Sequence, residues 1–548
     1  MSSGNSNPGG RRTSDVEVAW SRVVAALRDE LVAPPVLPVA DPLPPELSAL
    51  PAATAASAQE LRPFTRLQSD SRQLTEADAH GTLFVAVRGG AFDAHSVLPT
   101  LAPRLAGAVG EEPAPAGWSG HYFQVRSSRR ALGLLAHVFA GAPAHTLSVV
   151  GVTGTNGKSS TVRLLSAIFQ AAGERVGWMS TVSQRIDEHE SPQRLTTPEP
   201  SEIAAGLARF AARGGERFVM EISSHALDQE RTAGIPLDGA ILTNVTRDHL
   251  DYHDGWADYL AAKLRIFDAL GPEGVAVFPH PRAEQFAALT VEEVESELAC
   301  LRERVSGRVL TFGLDRTADV HPRRIAGDGD GQRGELSLAG TPFEFETRLI
   351  GRHNLANLLA SAALAHGLGV STDAIAAGFA AAVPVAGRLE RVPSARGRVF
   401  VDYAHTPDAL RAVLDSLRGV TGGRLRVVFG CGGDRDRGKR PEMGEIAESL
   451  ADDVYVTSDN PRGEDPHAII DGILAGMRNP ARVQVDADRH AAIGRAVSDL
   501  EGEDTLVVAG KGHEREQTIG DRSIPFDDRA VVDEWLRRSD GAHPVHEE

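Results

Sequence analysis

The chain reads as an α/β protein of three domains built around a central P-loop-type, mostly parallel sheet. Three observations carry that reading. Short apolar runs with strand character alternate with helical patterns along most of the chain, as in doubly wound sheets. One run, Leu147-Ser148-Val149-Val150-Gly151-Val152, feeds directly into Thr153-Gly154-Thr155-Asn156-Gly157-Lys158-Ser159-Ser160, and an apolar-periodic helix follows over 162–172. The length, 548 residues, at about 100–200 residues per domain, allows three or four cores.

In chain order, residues 1–58 join a polar, Gly/Ser-rich leader to a Pro/Ala-rich run, and proline removes backbone donors and restricts its neighbours. They are expected to form a flexible N-terminal extension, with room for a short helix over 16–31. Residues 59–145 are expected to form a small α/β domain, with strands over 82–87 and 122–125 around an Ala/Leu helix pattern. The central domain is placed at 146–386, with further strands over 217–220, 239–243 and 274–278. The Gly-rich segment 327–334 reads there as a loop or hairpin connection. A third, Rossmann-like domain is placed at 387–548, its strands over 399–402, 425–429, 453–456 and 505–508.

Fifty-seven basic against 75 acidic side chains give a net charge of −18. That balance argues against a general duplex-binding protein, which needs a dominant basic surface. Cys300 and Cys431 are too few for a disulfide framework or a multi-cysteine zinc site. No stretch approaches the ~20 apolar residues of a membrane span, and the polar start lacks the apolar core of a secretory signal. A cytoplasmic monomer with no nucleic-acid or membrane partner is the expectation.

The loop 154–160 has the chemistry of a phosphate cradle. Small residues let backbone N–H groups close on a phosphate, and the helix dipole favours negative charge at its N-terminus. Lys158 is positioned to reach the outer phosphates and the Ser159 hydroxyl to ligate Mg²⁺. Val152 occupies the first glycine position of the full G-x-x-x-x-G-K-[ST] pattern, and Gly154 supplies an early glycine instead. With no guanine-reading Asn-Lys-x-Asp downstream, ATP is the expected nucleotide.

Glu221, in Met220-Glu221-Ile222-Ser223-Ser224-His225, falls at a strand end, where a carboxylate can serve Mg²⁺; alone it reads equally as a capping or surface residue. Thr243-Asn244-Val245-Thr246-Arg247-Asp248-His249-Leu250-Asp251-Tyr252-His253 crowds ionisable groups at a strand exit, a pattern that favours functional sites over plain loops. His249 and His253 lack the further ligands of a zinc site. Lys263, among apolar and small neighbours, reads in isolation as a snorkelling surface lysine.

Together these segments resemble the Mur ligases, ATP-dependent amide-forming enzymes that build the peptide of bacterial peptidoglycan. Residues 154–158, 221–225, 244–249 and Gly351-Arg352-His353-Asn354-Leu355-Ala356-Asn357 are similar to the family's central-domain motifs in order. Gly387-Arg388-Leu389-Glu390 and Asp402-Tyr403-Ala404-His405-Thr406-Pro407 are similar to those entering its C-terminal domain. The segments 430–441, Asp459-Asn460-Pro461-Arg462 and Gly510-Lys511-Gly512-His513-Glu514 resemble the branch that adds a diamino acid, and Arg462 marks the version associated with meso-diaminopimelate. A guanidinium suits that role, because it grips a carboxylate bidentately.

The resemblance implies ligation of meso-diaminopimelate to the D-Glu γ-carboxylate of UDP-MurNAc-L-Ala-D-Glu through an acyl phosphate, with ATP and Mg²⁺. It implies Lys158, Lys263, His249 and Arg388 as catalytic groups, with Lys263 N-carbamylated. Gly154, Thr155, Asn156, Gly157, Lys158, Ser159, Ser160, Asn354, Asp402 and His405 are then expected to bind ATP, and Ser159, Glu221, His249 and Lys263 to hold metal. Ser71, Gly90, Ala91, Phe92, Thr196, Thr197, Ser223, Gln229 and Arg231 match the muramyl-dipeptide positions. Arg435, Asp459, Asn460, Pro461, Arg462, Gly510 and Glu514 match those around diaminopimelate.

The chain departs from the family at Asp93-Ala94, where many relatives carry Asp-Gly, and at Gly90-Ala91, which bears on the uridine contacts. Ser159-Ser160 replaces the commoner threonine pair and keeps the hydroxyl. A folylpolyglutamate-synthase-like ligase shares the central fold but is disfavoured by the 459–462 and 510–514 motifs. Lysine or another diamine as acceptor, or a nucleotide-dependent binder without ligation chemistry, are the other readings.

Overall fold

A computed structural model describes residues 18–33, 64–75, 81–89, 92–193, 195–286 and 289–539. The chain divides into two compact units: one of Met1–Ser148, Pro198–Gly214 and His225–Pro236, the other of Val149–Thr197, Gly215–Ser224 and Leu237–Glu548.

The first unit holds a four-stranded parallel sheet of Arg66–Gln68, Thr82–Val85, Gly107–Gly110 and His121–Gln124, in that order. The unbroken apolar run at 82–87 follows from burial of both sheet faces. Leu83 and Val85 join Val109 and Phe123 in one cluster, while Phe84 and Ala86 join Ala108 and Tyr122 in another.

The expected flexible extension over 1–58 is corrected at its described part. Helix Trp20–Leu27 buries Trp20, Val23, Val24 and Leu27 in the cluster of Leu83, Val85 and Phe123. Val18 and Leu31 bridge to Phe64 and Val125. The i, i+3, i+4, i+7 spacing of those four side chains makes an apolar stripe that must find a partner. The central-domain boundaries are corrected as well, because Pro198–Gly214 and His225–Pro236 cluster with the first unit. Helix Pro200–Ala211 packs on helix Ser128–Phe139. Gly133 lets helix Ser128–Phe139 approach the segment His225–Pro236, since a Cβ there would stand 2.8 Å from that of Ala233, and Ser127 Oγ donates to Glu230 at 2.7 Å.

The second unit carries two larger sheets. In the 11-stranded one, Ser148–Thr153 lies between Leu237–Leu242 and Arg217–Glu221. Its middle pairs are parallel, whereas both edges turn antiparallel. The 327–334 segment is the tip of such a hairpin, Val320–Asp328 with Gly331–Leu338, turning at 329–330. Helices Lys158–Ala171 and Arg352–Gly367 supply much of this sheet's cover.

The six-stranded sheet runs Glu390–Val392, Arg398–Asp402, Thr505–Ala509, Leu425–Phe429, Asp453–Val456, Gln484–Val485. All its neighbours are parallel except the first pair, a Rossmann-like arrangement. Hairpin Glu516–Ile519 with Arg522–Pro525 follows it. Among the described residues no helix is long and apolar enough to cross a membrane.

Candidate active site

Strand Ser148–Thr153 delivers the chain to loop 154–157, and helix Lys158–Ala171 begins at once behind it. Gly154 sits at φ 147°, and any side chain there would collide with Thr243 Oγ1. The Thr243-Asn244 segment pins the loop from behind. Asn244 accepts from Asn156 N at 2.9 Å and donates to Asn156 O at 2.9 Å, and Thr243 Oγ1 donates to the same carbonyl at 2.6 Å. Part of the polar crowd at 243–253 is therefore scaffold for the loop.

Lys158 Nζ donates to Gly154 O at 3.1 Å and Thr155 O at 2.7 Å. Burial lowers its pKa, opposed by the Glu221 carboxylate, while Arg388 adds to the lowering.

A cavity of about 700 Å³ opens from this loop, lined by Gly157, Ser159, Ser160, Asn354, Arg388 and Asp402 among others. These five expected ATP-binding residues and the expected catalytic Arg388 are thus brought together from four separate stretches of sequence. Asn354 is fixed by donating to Ile350 O at 2.9 Å and accepting from Asn357 at 3.3 Å. The Arg388 guanidinium lies 4.4 Å from the Tyr403 ring centre, and its buried Nε has no hydrogen-bond partner among the described residues. Arg388 lines the cavity, and a guanidinium there suits an anionic ligand. Asp402 accepts from Leu389 N at 2.6 Å and Ala404 N at 2.7 Å, although burial raises its pKa against the pull of Arg388. His405 Nδ1 lies 2.9 Å from Tyr403 O, and Lys439 Nζ donates to His405 O at 2.9 Å.

The expected metal residues surround the loop. Ser159 is buried and Glu221 fully so; Glu221 accepts from Thr181 N at 3.1 Å and Thr181 Oγ1 at 2.8 Å. Lys263 is 1% exposed, so the snorkelling reading is excluded. Its Nζ lies 4.4 Å from the Tyr259 ring centre. No carboxylate pairs with it among the described residues, and burial, then Lys158, drive its pKa well below the ordinary lysine value. Burial thus favours the amine form of Lys263, the nucleophile that adds to CO₂.

His249 sits at φ 55°, its Nε2 3.5 Å from Asp248 Oδ2. Burial acts to raise the Asp248 carboxyl, yet His249, His405 and Lys439 together bring it below its usual range. No cluster of three His, Cys, Asp or Glu occurs among the described residues. A hydroxyl, one carboxylate and substrate phosphates are the oxygen set that suits Mg²⁺, which seldom uses an all-protein cage. The donors present fit that ion.

The expected acceptor residues follow the ends of Asp453–Val456 and Thr505–Ala509, except Arg435, which lies on the loop after Leu425–Phe429. Asn460 Nδ2 donates to Glu514 Oε2 at 2.8 Å. Arg462 has φ 51°, and its Nη1 donates to Gly433 O at 2.9 Å. The hairpin holds this backbone: Arg462 N donates to Thr518 O at 3.0 Å and Gly520 N to Arg462 O at 2.7 Å. Asp459 Oδ2 is buried without a partner among the described residues, beside Gly510. Arg435 is exposed, its Nη1 donating to Asp434 O at 3.1 Å, and Pro461 is buried.

Arg489, which sequence reasoning missed, supports the cluster. Its side chain is fully buried against Asp528 at 2.6 Å and donates to Ser458 O and Ala509 O. Tyr259, Thr181, Lys439 and Lys511 were missed as well. Lys511 lay inside a recognised motif; Arg489 and Asp528, 39 positions apart, gave no local signal.

The muramyl-dipeptide positions fall in both units. In the second, Thr197 Oγ1 donates to Glu221 O at 3.0 Å and accepts from Ser223 N at 3.0 Å, and Thr181 Oγ1, whose hydrogen goes to Glu221, lies 3.0 Å from Thr196 Oγ1. In the first, Ser71 opens a 3₁₀ turn capped by Asp70, whose carboxyl Arg72 holds down to about 2. Gln229 accepts from Arg231 at 2.9 Å, and Arg231 pairs with Glu199 at 3.1 Å. Phe92 is 55% exposed. Gly90 and Ala91 lie outside the described residues.

Residues 152–365 match the Mur ligase middle domain, and 387–512 match the Mur ligase, glutamate ligase domain. The chain belongs to the Mur ligase family. It is 40% identical over 478 residues to the UDP-N-acetylmuramoyl-L-alanyl-D-glutamate--2,6-diaminopimelate ligase of Chlorobaculum tepidum, covering 86% of this chain and 92% of that one. The ligase of the same name from Geobacter sulfurreducens is 40% identical over 500 residues, covering 87% and 96%. A solved structure under that enzyme name superposes with TM-score 0.63 at 29% identity, covering 89% of this chain and 98% of its own.

Proposed function

We propose that this protein is the ATP-dependent ligase that joins meso-diaminopimelate to the D-glutamyl γ-carboxylate of UDP-MurNAc-L-Ala-D-Glu, acting as a cytoplasmic monomer. The observation that carries the reading is that the cation Arg388 lines one cavity with the phosphate loop. The similarity to relatives of that name over most of the chain supports the substrates.

The γ-carboxylate attacks the γ-phosphorus of ATP; ADP leaves and an acyl phosphate forms. Lys158 and Arg388 neutralise charge on the transferring phosphoryl group. Magnesium held by Ser159 and Glu221, with a second ion at His249 and a carbamate on Lys263, supplies further charge neutralisation when bound. Asn354, Asp402 and His405 hold the nucleotide, while Ser71, Gly90, Ala91, Phe92, Thr196, Thr197, Ser223, Gln229 and Arg231 hold the muramyl dipeptide. The free amine of diaminopimelate, presented by Arg435, Asp459, Asn460, Arg462, Gly510 and Glu514, then attacks the activated carbonyl. Phosphate leaves and the amide remains.

Substrate carrying ¹⁸O in the D-glutamyl γ-carboxylate tests the chemistry. One labelled oxygen per turnover is expected in the released phosphate. Unlabelled phosphate formed alongside amide product contradicts the acyl-phosphate route.

A further inference from the structure

The acceptor cluster contains a fully buried cation to which the proposed function gives no part. Lys511 has zero side-chain exposure, and its Nζ donates to Asn460 Oδ1 at 3.1 Å, Glu514 Oε2 at 3.1 Å and Glu516 O at 2.6 Å. Three donors thus meet three acceptors, and the ammonium is saturated.

Two consequences follow for the groups around it. Asn460 Oδ1 accepts from both Lys511 Nζ and Thr518 N, the latter at 3.0 Å. The amide therefore turns its Nδ2 towards Glu514. Glu514 Oε2 takes that Nδ2 and the lysine ammonium, leaving Oε1 without a partner among the described residues. The Glu514 side chain is 33% exposed, so the free oxygen can meet a ligand. A glutamate with one oxygen neutralised and one open accepts a single ammonium group without presenting a full uncompensated charge.

We propose that Lys511 is a positioning residue for acceptor specificity. It fixes the Asn460–Glu514 pair and, with Arg462, balances the pocket for an acceptor end that carries an ammonium and a carboxylate together. This rests on the reading of the cluster as the diamino-acid site. Removing the lysine charge leaves the pocket more anionic, which favours an acceptor ending in a bare ammonium over a zwitterionic one.

The test compares kcat/KM for meso-diaminopimelate and L-lysine in the wild type, Lys511→Met, Lys511→Gln and Lys511→Arg. The two neutral variants are expected to lower the diaminopimelate-to-lysine ratio by about tenfold, mainly through the KM for diaminopimelate. The KM for ATP should stay within about twofold, which a general loss of structure does not allow. Lys511→Arg keeps the charge and should retain most of the ratio. Should Lys511→Met fail to fold, Lys511→Gln, which keeps a polar terminus, gives the same contrast. An unchanged ratio in a folded neutral variant overturns the proposal. Absence of turnover with diaminopimelate in the wild type is a separate result, which overturns the acceptor reading and this inference with it.

Discussion

Arg247 Nε donates to Asp436 Oδ2 at 3.0 Å, joining the loop that follows strand Leu237–Leu242 to the loop that follows Leu425–Phe429. The first loop holds Asp248 and His249, and the second leads to Lys439, whose ammonium holds the His405 carbonyl. The pair thus fastens the loop after Leu237–Leu242 to the loop that leads to Lys439.

With side chains 44% and 23% exposed, the pair contributes below about 1 kcal/mol to stability. Its effect should appear in turnover, because a closed site keeps water from the acyl phosphate. Arg247→Asp is expected to lower kcat by about tenfold with little change in unfolding midpoint, and the swap Arg247→Asp with Asp436→Arg to recover part of the loss. Additive losses in the double variant would contradict a direct coupling.

Lys263→Ala should abolish most activity without unfolding the protein. A buried amine with depressed pKa and no ion pair among the described residues contributes little to stability as a cation. Bicarbonate or short-chain acids are expected to restore part of the variant's rate. Full activity without additives would sink the carbamate assignment.

Trp20 tests the docked N-terminal helix. It is 3% exposed in a cluster with Phe123, so Trp20→Ala should cost about 3 kcal/mol of first-unit stability through the cavity it leaves. The readout is the urea midpoint, with ATP binding at the second unit unchanged. A midpoint within error of wild type would return residues 18–27 to the status of an appendage.

How much was legible beforehand follows from these cases. Strands 425–429 and 453–456 were readable from the short apolar stretches 427–429 and 454–456 that buried parallel strands carry, and the phosphate loop because its residues are contiguous. Trp20, Val23, Val24 and Leu27 showed a helical stripe, but a Pro-rich neighbourhood masked its need for a partner. The antiparallel strands Val320–Asp328 and Gly331–Leu338 are rich in polar residues and Gly, so their run signal is weak. Lys263 gave a strong answer only in three dimensions, since burial and missing partners have no local signature. The Arg489–Asp528 pair depends wholly on long-range packing.

Acid should weaken the first unit through His137, whose ring is buried beside His145. Burial, then the His145 charge, lowers its pKa from 6.5 to about 4. The unfolded chain then binds a proton that the folded chain refuses between those values. Stability therefore falls as pH drops through that window, by about 1.4 kcal/mol per pH unit for this group. His137→Phe is expected to flatten the urea midpoint between pH 6.5 and 4.5 relative to wild type. Identical pH slopes in the two proteins would assign the acid sensitivity elsewhere.

The central claim is tested most directly by phosphate release from ATP with UDP-MurNAc-L-Ala-D-Glu, comparing meso-diaminopimelate, L-lysine and no amino acid. Release that requires meso-diaminopimelate, with lysine near the no-acceptor background, is the predicted result. Release with L-lysine at a rate equal to or above that with meso-diaminopimelate would contradict the assignment of Arg462 and Glu514 to a zwitterionic acceptor end.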